Sequence, residues 1–231
     1  MRRLKLLGLG LVAVFALGAF MSTAALGAAK VLTKAGVESE NFKLSGNSVK
    51  ETKLTVLKSG LAVKCPEVTT EGEQTGKTLL GTFHLHWKGC TTSLGGTCTG
   101  LGDESGLILA LGTFHIVFDS LTTLGLGVLF LVEPLHFTCV VGLSELLLVK
   151  GEVLCLATPT NSLTKTITVK CETGPENGDP KETVYWNHET GAEVKMGLEG
   201  LLTSKNGGAF EMSAQAGEGV ANLNEELEFM A

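Results

Sequence analysis

Apolar and polar side chains alternate with a period of two along most of this chain, the pattern of strands with one buried face. From Thr82 to Lys88, Phe83, Leu85 and Trp87 fall on one side and Thr82, His84 and His86 on the other. From Thr113 to Asp119, Phe114, Ile116 and Phe118 oppose Thr113, His115 and Asp119. Lys165 to Cys171 puts Ile167, Val169 and Cys171 on one face, and Lys53 to Cys65 reads as a hairpin turning at Lys58-Ser59-Gly60. The segment Leu121–Val132 is the most apolar beyond the N-terminal region; at 12 residues it is shorter than the roughly 20 a bilayer-spanning helix needs. It predicts a buried strand or a pair of them. A further apolar strand covers Leu146–Leu156, interrupted at Lys150-Gly151.

The run Glu172–Pro180, rich in Gly, Pro, Asn and Asp, predicts an exposed loop. Hairpin-like pieces follow at Thr183–Trp186, Glu193–Leu198, Ala209–Gln215 and Val220–Met230, with a short helix in this tail as an alternative. The stretch Gly89–Val149 holds no Lys or Arg and collects the apolar strands, which marks it as the centre of the core. The fold expected is therefore all-β and mainly antiparallel, a β-sandwich-like or partly open barrel with at most short helices. One domain is expected over 28–231, with apolar core strands in 53–171 and more polar C-terminal hairpins in 181–231 as outer strands or a flap.

The N-terminus departs from this rhythm. Arg2, Arg3 and Lys5 precede the uncharged apolar run Leu6–Phe20, and small residues follow from Ser22 to Ala29. Positive flank, apolar core and small-residue exit are the layout of a secretory signal peptide. The expectation is a signal peptide over 1–27, cut after Gly27, with Ala29 second and an uncleaved anchor as the alternative. No twin-arginine consensus follows Arg2-Arg3, and no cysteine lies near the cut for a lipid anchor.

Charge and cysteine content then narrow the function classes. The chain has 18 Lys plus Arg against 24 Asp plus Glu, a net charge of −6. Both arginines lie within residues 1–27, so the remainder carries 15 Lys against 24 acids, or −9. An acidic domain without arginine lacks the bidentate donor that reads phosphates and guanine edges, which argues against nucleic-acid partners and anionic membrane surfaces. Six cysteines, Cys65, Cys90, Cys98, Cys139, Cys155 and Cys171, lie beyond the leader. An even count in an exported chain reads as disulfides, and the 15 connectivities that six cysteines allow stay open. There is no Cys-x-x-Cys to suggest a redox site or a zinc ribbon.

The sharpest candidate chemistry is histidine placement. His84 and His86 project from one strand face, and Gly81-Thr82-Phe83-His84 recurs as Gly112-Thr113-Phe114-His115. Were His115 to converge with the other two, three imidazoles could hold zinc or copper and leave an open position. The plainer reading is a solvent-facing strand with a repeated pattern. No Gly-x-Ser-x-Gly elbow is present, and the glycine pairs lack a phosphate-loop context. Tyr185 and Trp186, beside Asn187-His188-Glu189, are candidate ligand-binding aromatics for a sugar or peptide.

Several segments together resemble a set of actinobacterial predicted secreted proteins of unknown function. They are Gly89-Cys90, Thr97-Cys98-Thr99-Gly100-Leu101-Gly102-Asp103, Leu111-Gly112-Thr113-Phe114-His115, the run from Val128 to Cys139, and Ser204-Lys205-Asn206-Gly207-Gly208-Ala209-Phe210-Glu211. The resemblance covers most of the chain beyond the leader, including the ending Glu228-Phe229-Met230-Ala231, and implies export and cysteine-rich β structure. It carries no functional residues over. The function expected is a non-catalytic structural or binding role at the cell envelope or outside the cell, with no stable membrane span after cleavage and a glycan or envelope component as candidate partner. Metal binding and carbohydrate or peptide binding are the alternatives.

Overall fold

A computed structural model describes residues 29–56, 60–76, 79–118, 126–141, 143–173, 183–187, 192–196, 198–202 and 211–230. Every regular element among them is a strand, and every pairing is antiparallel. In chain order they are β1 (Lys30–Thr33), β2 (Asn41–Ser48), β3 (Thr52–Val56), β4 (Ala62–Cys65), β5 (Glu67–Thr75), β6 (Leu80–Lys88), β7 (Thr91–Thr92) and β8 (Thr97–Gly100). There follow β9 (Leu107–Phe118), β10 (Leu126–Val141), β11 (Leu143–Thr158), β12 (Leu163–Thr173), β13 (Thr183–Asn187), β14 (Ala192–Met196), β15 (Leu198–Leu202) and β16 (Glu211–Met230). The all-β expectation holds, with the β3–β4 hairpin at its predicted place.

The strands follow one another along a single path, and the pairings of β12 with β16 and of β9 with β10 draw that path round on itself. The result is an open ring rather than a true barrel. Two long strands organise it. The first part of β10 pairs with β9 and its second part with β8. Similarly, β16 pairs with β3 near its start and with β2 further on.

The change of partner along β10 has a visible cause. Val132 pairs with Gly151 and Leu135 with Val149, so Glu133 and Pro134 together oppose Lys150. Proline has no N–H for the ladder and is tolerated inside a sheet at a bulge. The extra residue also flips side-chain parity. Val128, Phe130 and Val132 face inward before it, and Leu135, Phe137 and Cys139 after it.

The interior accordingly holds two apolar clusters. One gathers Phe42, Phe83, Phe114, Ile116, Leu227 and Phe229; the other gathers Val63, Ile108, Phe137, Leu147 and the cysteines. Leu85, Phe130, Val132 and Val169 pack against both, at the waist between them.

The C-terminal segment corrects one expectation. Instead of two hairpin pieces in an outer flap, Glu211–Met230 forms one 20-residue strand in contact with β1, β2, β3, β12 and β15. Its Ala221, Leu223, Leu227 and Phe229 are buried. Gly217, Gly219 and the neighbouring glutamates lie within this strand, where neighbours on both sides satisfy its backbone.

Candidate functional site

The repeated Gly-Thr-Phe-His tetrapeptide lies on two neighbouring strands paired with local two-fold symmetry. Thr82 is opposite Thr113, with Gly81 opposite Phe114 and Phe83 opposite Gly112. Each phenylalanine ring covers the glycine of the other strand: a Cβ on Gly81 would lie 2.2 Å from Phe114 Cζ, and one on Gly112 would lie 2.7 Å from Phe83 Cζ. Aromatic cover of a strand glycine is a packing device. It gives the repeat a structural purpose in the core.

The same symmetry separates the histidines. His84 pairs with Leu111 and His115 with Leu80, so the two imidazoles leave the central threonine pair in opposite directions. Four strand residues at about 3.3 Å each put them roughly 13 Å apart along the sheet. His86, opposite Leu109, shares a strand with His84 but lies farther still from His115. His84, His86 and His115 therefore do not converge on one zinc or copper ion, as the metal-binding alternative required. Among the described residues no group of three or more His, Cys, Asp or Glu side chains could hold a metal ion.

On its outer face His84 lies opposite Glu71 and contributes to a polar groove of about 510 Å³ with Lys43, Glu73, Asn222 and Asn224. Lys43 Nζ lies 3.6 Å from Glu73, and the backbone N–H of Lys43 donates to Asn224 Oδ1 at 2.8 Å. The groove offers hydrogen bonds along an exposed sheet.

Tyr185 and Trp186 are consecutive residues of β13, which pairs with β14 and meets β9 through Trp186 opposite Phe118. Their side chains lie outside the described part of the structure.

The six cysteines form three disulfides, Cys65–Cys90, Cys98–Cys139 and Cys155–Cys171. Two of them join residues directly opposite each other, Cys98 with Cys139 across β8–β10 and Cys155 with Cys171 across β11–β12. Cys90, Cys98, Cys139 and Cys155 are fully buried. Each staple thus locks the register of neighbouring strands rather than bridging two layers.

At the waist between the two apolar clusters lies a half-open cavity of about 120 Å³. Phe83, Leu85, Trp87, Phe114, Phe130 and Val169 are among the apolar residues of its wall. Asn47, Ser48, Thr52, Gln215 and the segment Gly217–Gly219 line the side where β16 passes from pairing with β3 to pairing with β2. The alternation of Thr82–Lys88 marks the inward residues Phe83, Leu85 and Trp87, but the sequence holds no sign that they border a void.

One carboxyl group departs from ordinary behaviour. Burial on β11 holds the Glu152 carboxyl above its usual range. It stands opposite Leu131, beside the small apolar cluster of Val117, Leu129 and Leu154 on the other face of the sheet from the cavity.

Comparison with protein-family models, with curated proteins and with solved structures finds no match to this chain.

Proposed function

We propose that the protein is exported and serves a non-catalytic structural or binding role at the cell envelope or outside the cell. The observation that carries this reading is the pairing of all six cysteines. Disulfides of this density persist in oxidising compartments and are rare where glutathione and thioredoxin keep thiols reduced. The leader pattern of residues 1–27 lies outside the described residues, and it supports the same address. Ala29, which is 2 % exposed and belongs to the apolar cluster next to β1, bears on the position of the cut. A cut after Gly27 keeps that buried residue in the fold, whereas a cut after Ala29 removes it. The likeness to actinobacterial exported proteins points the same way.

Expression of the full chain in a secreting actinobacterial host tests the proposal. Soluble extracellular protein beginning at Ala28 and carrying no free thiol supports it. Retention in the cytoplasm with an intact leader and six alkylatable cysteines overturns it.

A further inference from the structure

We propose that the waist cavity binds one small, uncharged apolar molecule about the size of a single benzene ring. The inference goes beyond the export reading, because the cavity belongs to the fold wherever the protein resides. Protein interiors hold few voids larger than a water molecule. This one measures about 120 Å³, close to an apolar cavity of about 150 Å³ that takes up benzene.

The void follows from how the chain is built. The bulge at Glu133-Pro134 shifts β10 from one cluster to the other, and the cavity lies where the two clusters adjoin, bordered by Phe130, Val132 and Val169. Leu85, Trp87, Phe130, Val132 and Val169 point inward yet remain only partly buried. Inward residues of a filled core would be fully covered.

The wall chemistry selects the occupant. Phe83 and Phe130 meet edge to face with ring centroids 5.0 Å apart, leaving aromatic surface toward the void. Glu218, at the rim, is the one ionisable residue among the lining residues, and its carboxylate pairs with Lys50. A charged ligand inside would find no counter-charge in the wall and would lose its hydration. An apolar one would lose only water contacts.

Small residues shape the rim. A Cβ on Gly217 would lie 3.0 Å from Thr52 Oγ1, so a larger side chain at that position crowds the rim between β3 and β16. The polar rim of Asn47, Ser48, Thr52 and Gln215 keeps the entrance wetted while the depth stays apolar.

Benzene and benzoate, titrated separately into disulfide-intact protein with labelled methyl groups and followed by NMR, test the proposal. Benzene should produce saturable shifts at the Val128, Val132 and Val169 methyls, and only small linear ones at Val49 and Val140, which are each 54 % exposed. Val169→Phe, which fills the void, should weaken benzene binding by more than about tenfold, and benzoate should bind wild type more weakly by a similar factor. If Val169→Phe does not fold, Gly217→Val serves instead: narrowing the rim should slow benzene exchange while leaving the deep wall intact. No saturable shift up to the solubility limit of benzene, equal response at Val49 and Val140, or equal binding of benzoate overturns the proposal. Because the measurement uses folded protein from any source, its failure is distinct from a failure of export.

Discussion

Gly81→Ala isolates the reciprocal cover of glycine by phenylalanine. In an open strand this substitution should stabilise by about 0.5–1 kcal/mol, because alanine loses less backbone freedom on folding. Here the new Cβ would lie 2.2 Å from Phe114 Cζ and 2.5 Å from the Glu73 carbonyl oxygen. Carbon atoms in good contact sit about 3.5–4.0 Å apart, so the ring must retreat by more than roughly 1 Å. Phe114 is 2 % exposed, with Phe42 and Phe130 rings at 6.4 and 6.5 Å, and can give way only toward the cavity it lines. Overpacking costs about 1–3 kcal/mol, and the Glu73 carbonyl, which belongs to the paired backbone and cannot swing aside, keeps this substitution within that range.

Denaturant unfolding with the disulfides intact measures the loss. Phe114→Ala alone should cost about 3–5 kcal/mol. The double variant should lose less than the sum of the two by about 1 kcal/mol or more, since removing the ring relieves the clash. A stabilised Gly81→Ala protein, or strict additivity, would refute the reciprocal packing.

Other consequences are open to direct measurement. Replacing Cys155 and Cys171 by alanine opens a loop with a sequence separation of 16, which should cost about 3 kcal/mol in denaturant unfolding; a change below about 1 kcal/mol would argue against a stapled register. Because burial raises the Glu152 carboxyl above its ordinary value of 4.5, the folded chain keeps its proton where the unfolded chain has released it. Its contribution to stability is then full below that ordinary value and declines as pH rises through the folded value. Glu152→Gln should therefore gain on wild type as pH rises from acid to neutral, and parallel pH profiles of unfolding free energy would contradict this. Metal analysis of untagged protein should find well under one equivalent of zinc or copper, given the separation of His84 from His115. Stoichiometric metal lost on His84→Ala would reverse that conclusion.

Much of the strand grammar is visible in single segments. Phe83, Leu85 and Trp87 alternate with Thr82, His84 and His86, and the structure puts the first set inward. The bulge at Glu133-Pro134, by contrast, emerges only from the pairing of β10 with β11. What local pattern cannot supply is the partner of each strand. The Gly-Thr-Phe-His repeat reads as two similar faces, and only the antiparallel register reveals why the histidines part while the phenylalanines and glycines meet. The C-terminal strand was hidden for a related reason. Gly217, Gly219 and the surrounding glutamates weaken any local strand signal, and β16 holds together through neighbours distant in sequence.

Peptide mapping of the folded, unreduced protein by mass spectrometry probes the account most directly, because strand neighbours and cysteine partners are the same information here. Cross-linked fragments should join Cys65 to Cys90, Cys98 to Cys139 and Cys155 to Cys171. Any other pairing in the folded product, or free thiols at these positions, would contradict both the strand order and the oxidising address inferred from it.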